Sequence, residues 1–255
     1  MADYSVPTRQ DLRDEYRLFR KRAYKPEIHR KAALRYLVHF HKDAMLSPGI
    51  KTNHWSALTN YQSKSTTMSG VNIKKSFRDF LLARQGQRCC YCQRWLVNIA
   101  HACPIEHVLP HSRYPQFVVH FFNFGIACFD CNSSKTDACW GAFSFSSTKY
   151  PSPDEVKDFY HPRYHKYAEH VNFIRMETNG FSIVSYTGMT DQGRHLCESL
   201  LHKVAAKETL TSCIPSIQDF YKAFENLSAG NNKEYKDLSN FRSVLDQVVS
   251  ERLSP

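Results

Sequence analysis

Two pairs of cysteines constrain this chain more than any other feature. Cys89 and Cys92 form one C-x-x-C, and Cys128 and Cys131 form a second. A C-x-x-C turn brings two thiolates to one side of a tight knuckle, and two knuckles supply the four sulfurs that tetrahedral zinc takes. The segment between the pairs, residues 93 to 127, is longer than a compact zinc ribbon needs, so it has room for a functional insertion. Nine cysteines occur in all, six of them from Cys89 to Cys131. An odd number cannot pair completely. The N-terminus is charged from the start and carries no apolar core of signal-peptide length. A cytoplasmic location is therefore expected, where thiols serve as metal ligands or stay buried more often than they form disulfides. The alternative reading of the pairs is a set of buried thiols or a redox couple. Cys139, Cys197 and Cys213 read as core residues.

Charge separates the chain into regions. Residues 1–80 contain 16 basic and 7 acidic side chains, residues 81–150 contain 6 and 3, and residues 151–255 contain 12 and 14. Most of the net +10 therefore lies in the N-terminal third. This distribution suits a polyanionic partner, nucleic acid first, and Arg17, Arg20, Lys21 and Arg22 are its densest cluster. A solvated helix face is the plain alternative. At 42% hydrophobic residues and 23% charged, the chain is not of the disordered class. No stretch approaches the roughly 20 apolar residues of a membrane span.

Periodicity predicts helices over Arg9–Ala23, where Leu12, Tyr16 and Phe19 share a face, and over a segment with Leu34, Leu37, Val38 and His41 in helical spacing. Ser47-Pro48-Gly49 ends the latter. Thr52 to Gly70 is polar and reads as a loop. A short amphipathic helix through Ile73, Phe77, Phe80 and Leu81 ends at Gly86. Asn179-Gly180, between Val171–Met176 and Phe181–Tyr186, marks a hairpin. A helix capped by Thr190 runs to Lys203, and two more are expected around Ile217–Leu227 and Asn240–Leu253. The expected domains are a basic helical region, 1–86, a cysteine-framed core, 87–150, and a hairpin with helices, 151–255.

Between the knuckles runs Pro104-Ile105-Glu106-His107-Val108-Leu109-Pro110-His111-Ser112. Asn123 follows, and Asn132 comes directly after the second knuckle. Glu106 is a hard oxygen donor suited to Mg²⁺. His107 can take a proton near neutral pH. Asn132 offers a neutral oxygen, and Lys135 a cation for phosphate. Taken singly, Glu106 and His107 would pass for a strand surface pair, and the two asparagines for turn or cap residues. His111 is a candidate phosphate contact.

The ordered set C-x-x-C, E-H-V-x-P-x-S, N and C-x-x-C-N-x-x-K-x-D resembles the HNH endonucleases, whose core is a ββα-metal fold. The resemblance covers Arg88 to Asp137 and implies an α+β fold, with that core embedded in mostly helical N- and C-terminal extensions. It implies that His107 is the general base and Glu106 a ligand of a catalytic Mg²⁺ or Mn²⁺. Asn123 would brace the loop that orients His107. Asn132, in place of the family's last His, would be the second metal ligand. Cys89, Cys92, Cys128 and Cys131 match the structural zinc of the four-Cys subgroup. Downstream, Tyr160-His161-Pro162-Arg163, then Glu169-His170, the hairpin and the leucine-bearing helix after Thr190 carry a fainter resemblance, over Glu155 to Leu201, to the PtuB-like nucleases of Septu and retron-associated anti-phage systems. It implies a PtuA-like ATPase partner and, in retron versions, a reverse transcriptase with its DNA product. DNA is the favoured substrate, with RNA open. The competing readings are a zinc module that binds nucleic acid or protein without catalysis, and a restriction-type or RNA-cutting HNH enzyme.

Overall fold

The computed structural model describes residues 6–24, 26–46, 54–97, 103–177 and 182–208. They form an α+β fold in two compact units, residues 1–167 and residues 168–255. The expected segments 1–86 and 87–150 both fall inside the first unit.

In that unit, α1 covers Arg9–Ala23 and α2 covers Glu27–Leu46. Thr8 and Asp11 close a reciprocal capping box at the start of α1, and Arg20, Lys21 and Arg22 occupy its last turn, where cations suit the helix dipole. Phe19 is buried and stacks on Phe77 and Phe121, at 4.9 Å in each case. The basic region is thus built into the core through its apolar stripe. The stretch expected to be a loop contains a helix, α3, His54–Thr59, and an isolated bridge between Gln62 and Ser69. Its polar composition hid the two apolar positions that matter, since Leu58 is fully buried and Trp55 faces a cleft described below.

The next helix, α4, spans Gly70–Arg84 with Ser69 as N-cap. Its first residue must be glycine, because a Cβ there would lie 1.6 Å from the Leu58 carbonyl oxygen. Gly86 has φ +61, the left-handed conformation that ends helices. The strands β1, Ile105–His107, and β2, Phe124–Ile126, pair antiparallel, with Glu106 opposite Gly125 and His107 opposite Phe124. All six residues are buried. The short helix α5, Phe129–Lys135, follows directly.

The boundary between the units falls within a single helical turn, α6, Tyr167–His170. The second unit contains the expected hairpin, β3 Val171–Glu177 and β4 Ser182–Gly188. The Thr190 side chain accepts a hydrogen bond from Gly193 N and caps α7, Asp191–Leu196. A π-turn over Cys197–Leu201 then separates α7 from α8, His202–Glu208, so the single helix expected there is interrupted. Cys213 and the two helices expected after it lie outside the described residues. Among the described residues no helix is long and apolar enough to cross a membrane.

Candidate metal centre and cleft

The four cysteines converge. Cys89, Cys92, Cys128 and Cys131 are all buried, and their sulfurs lie within 4.8 Å of one another. Cys92 Sγ and Cys128 Sγ are 3.7 Å apart. A tetrahedron with metal–sulfur bonds of about 2.3 Å has sulfur–sulfur edges of about 3.8 Å, so the cluster is compatible with zinc. Local hydrogen bonds shape each knuckle. In the first, Gln93 N donates to Cys89 O, and Gln93 itself adopts φ 57. In the second, Cys128 is the N-cap of α5, and its sulfur accepts from Cys131 N. Cys128 N in turn donates to Cys89 Sγ, tying the knuckles together. Backbone N–H groups aimed at sulfur favour the thiolate form that a metal requires.

Beside this cluster, β1, α3, α4 and α5 wall a cleft of about 530 Å³. Glu106, His107, His111, Asn132, Thr136 and Asp137 line it, together with Trp55, Lys74 and Arg78. Antiparallel pairing places Glu106 and His107 on the same short strand, and α5 then presents Asn132 to the same space.

His107 is held by one hydrogen bond and three ring contacts. Its Nε2 lies 3.1 Å from Val118 O, which can only accept, so the neutral ring carries its proton on Nε2. Nδ1 is left with a free lone pair, and among the described residues it has no hydrogen-bond partner. The ring meets Trp55 edge-on at 4.7 Å, with Phe124 at 5.2 Å and His111 at 4.9 Å. Burial, reinforced by the neighbouring His111, lowers the His107 pKa to about 3. The imidazole is therefore neutral at physiological pH.

Glu106 is also buried. Lys135 Nζ lies 2.7 Å from Glu106 Oε1, and the Tyr91 hydroxyl lies 3.4 Å from the same oxygen. Among the described residues, no bond falls on Oε2. Burial pushes the Glu106 carboxyl pKa up, and Lys135 is the chief influence opposing it.

These contacts correct the expectation for Lys135. Its side chain has no exposed surface. Besides Glu106 it bonds to His107 O at 3.1 Å. It is a structural counter-ion within the core and does not reach out to phosphate. The sequence suggested a free cation because a lysine at the end of a short polar helix looks solvated. The fold instead brings a buried carboxylate against it.

Asn123 is fully buried and clamps the loop that follows His107. Its Oδ1 accepts from Leu109 N at 2.7 Å, while Nδ2 donates to Leu109 O and Phe117 O at 3.0 and 3.1 Å. Phe117 precedes Val118, whose carbonyl fixes the His107 ring. The clamp continues outward. His161 Nδ1 accepts from Arg163 N, so Nε2 carries the proton and donates to the Tyr150 hydroxyl at 2.9 Å. Tyr150 then donates to Asn123 Oδ1 at 3.1 Å. His161 and His165 are buried.

The expected nucleic-acid residues divide. His111 lines the cleft, half-buried, and burial lowers its pKa while Asp137 opposes the shift. Arg17, Arg20, Lys21 and Arg22 are exposed on α1, and none lines the cleft. Arg17 is paired with Asp14 at 3.0 Å. Sequence reasoning missed Trp55, Lys74 and Arg78. The excess of positive charge before residue 80 was the available signal, but it could not say which cations reach the site. The chain matches no protein-family model, no curated protein and no solved structure.

Proposed function

We propose that the chain is a metal-dependent endonuclease of the HNH type, hydrolysing phosphodiester bonds of nucleic acid, with DNA favoured. The observation that carries this reading is that Glu106, His107 and Asn132 line one cleft, with His107 neutral and its Nδ1 open. An antiparallel strand pair followed by a short helix, flanked by a four-cysteine cluster, supports it.

In the proposed reaction, His107 Nδ1 takes a proton from a water molecule as that water attacks phosphorus. The phosphorus–O3′ bond breaks, giving a 5′-phosphate and a 3′-hydroxyl whose proton comes from solvent. The donor set suits a hard divalent ion, because Glu106 Oε2 is without a protein partner among the described residues and Asn132 adds an amide oxygen. Mg²⁺ or Mn²⁺, if held there by Glu106 and Asn132, would supply Lewis-acid charge stabilisation to the reacting phosphate. Asn123 holds the backbone that keeps the His107 ring in place. Zinc held by Cys89, Cys92, Cys128 and Cys131 would tie the first knuckle to the start of α5 and take no part in the chemistry.

The test is incubation of a supercoiled plasmid with the purified chain, with Mg²⁺, with Mn²⁺, or with chelator alone. Nicking that requires the added ion, and is lost in Glu106→Gln and Asn132→Ala, is expected. Metal-independent nicking would contradict the reading. The fainter resemblance extends the proposal to a PtuA-like ATPase and to a reverse transcriptase with its DNA product, in anti-phage defence. Co-purification of the full chain from its native host, with mass spectrometry of what is retained, should recover an ATPase.

A further inference from the structure

With Lys135 buried against Glu106, the cleft needs another source of positive charge if a polyanion is to enter it. Asp137 also lines it, and its carboxylate repels phosphate. Among its lining residues, the lysine and arginine side chains are Lys74 and Arg78. They sit one helical turn apart on α4, so both project from the same face.

Both side chains are anchored in place. Lys74 Nζ donates to Trp55 O at 2.8 Å and to the Thr59 hydroxyl. The same nitrogen lies 3.8 Å over the Trp55 ring. Those two bonds leave one of the three ammonium protons for a ligand. Arg78 Nε donates to Cys103 O at 2.9 Å, which fixes the guanidinium while its two terminal nitrogens have no partner among the described residues. Trp55 meets His107 edge-on, so this wall is continuous with the residue proposed to activate water.

We propose that Lys74 and Arg78 form a phosphate subsite, binding a backbone phosphate that flanks the scissile one. The proposal rests on the nuclease reading and deepens it. Arg78 has the paired donors for bidentate phosphate recognition, and Lys74 acts as a point charge. Because both are fixed before substrate arrives, little side-chain entropy is lost on binding. The role of the basic N-terminal third then includes the site itself, through two residues held on its fourth helix.

The experiment measures binding of a fluorescent DNA duplex to the His107→Ala chain across a salt series, so that the probe is not consumed. Adding Lys74→Gln and Arg78→Gln should lower the slope of log affinity against log salt by about 1.8, roughly 0.9 for each cation removed from the phosphate backbone. Lys75→Gln removes one positive charge from an exposed position on α4, paired with Asp79, and should leave the slope unchanged. Lys74→Arg should retain it. In the His107 enzyme, the double substitution should raise KM several-fold and change kcat little. Each variant's thermal melt is recorded, and Arg78→Gln alone serves if loss of the Lys74 bonds unfolds the chain. Binding that persists with an unaltered slope and KM overturns the subsite and leaves the nuclease reading standing. A parent chain that neither binds nor cuts nucleic acid overturns both.

Discussion

Replacing Lys135 with methionine isolates the buried ion pair. The substitution keeps the length of the side chain and removes the charge. The pair is 2.7 Å long, and the two side chains are 0% and 5% exposed, so solvent cannot take over from the lost ammonium. Breaking a buried pair by removing one partner costs about 3–5 kcal/mol, because the other charge is left uncompensated. Loss of the bond to His107 O falls within that range. For a chain of this size each kcal/mol shifts Tm by roughly 2–4 °C, so the melt should fall by roughly 6–20 °C. The cost should depend on pH. Without Lys135 the carboxyl pKa rises further, and a group protonated more readily in the fold gains stability as pH falls. The deficit relative to the parent, measured at matched pH by urea unfolding, should therefore shrink from about pH 7.5 to about pH 5.5. Adding Glu106→Gln removes the stranded charge and should restore most of the loss, a coupling that a double-mutant cycle reads directly. A single variant within about 1 kcal/mol of the parent at neutral pH, or a double variant no better than the single, would refute the reasoning.

Three further outcomes follow from the same structure. Elemental analysis should find about one zinc per chain, and Cys92→Ser should lose the metal and lower the melt; a metal-free parent with an unchanged melt would count against the cluster as a zinc site. His120 is held neutral by burial, its pKa lowered to about 3, and it stacks on Tyr150 at 4.2 Å. The unfolded chain therefore binds that proton first, and stability is lost as pH falls through about 6.5; His120→Phe should remove about 2 kcal/mol of the loss between about pH 7.5 and about pH 5, and an unaltered pH profile would contradict it. Tyr150→Phe leaves Asn123 and His161 each short of a bond and should cost about 1–3 kcal/mol in urea unfolding, with no change expected if that chain of bonds is not formed.

Local spacing was legible in the sequence, and tertiary placement was not. The C-x-x-C pairs gather because each knuckle is set by neighbouring residues, so four positions could be named in advance. The hairpin around Asn179-Gly180 and the Thr190 cap are local for the same reason. Helix α3 was lost because its polar residues outnumber Leu58 and Trp55, the two that the core and the cleft use. Lys135 was misread because nothing near it in the chain announces the carboxylate on β1. Lys74 and Arg78 look like ordinary cations of an amphipathic helix until the fold turns that face towards His107. Asn123 was legible as a brace only through the resemblance, and its bonds to Leu109, Phe117 and Tyr150 supply the physical reason.

The open nitrogen of His107 carries the proposed chemistry. The most direct test compares the parent chain with His107→Ala, both carrying zinc and melting alike, on the same DNA with Mg²⁺ present. General-base catalysis contributes on the order of 10²–10⁴-fold, so the account predicts that the variant cuts slower by about that factor. Cleavage by His107→Ala at the rate of the parent would contradict it.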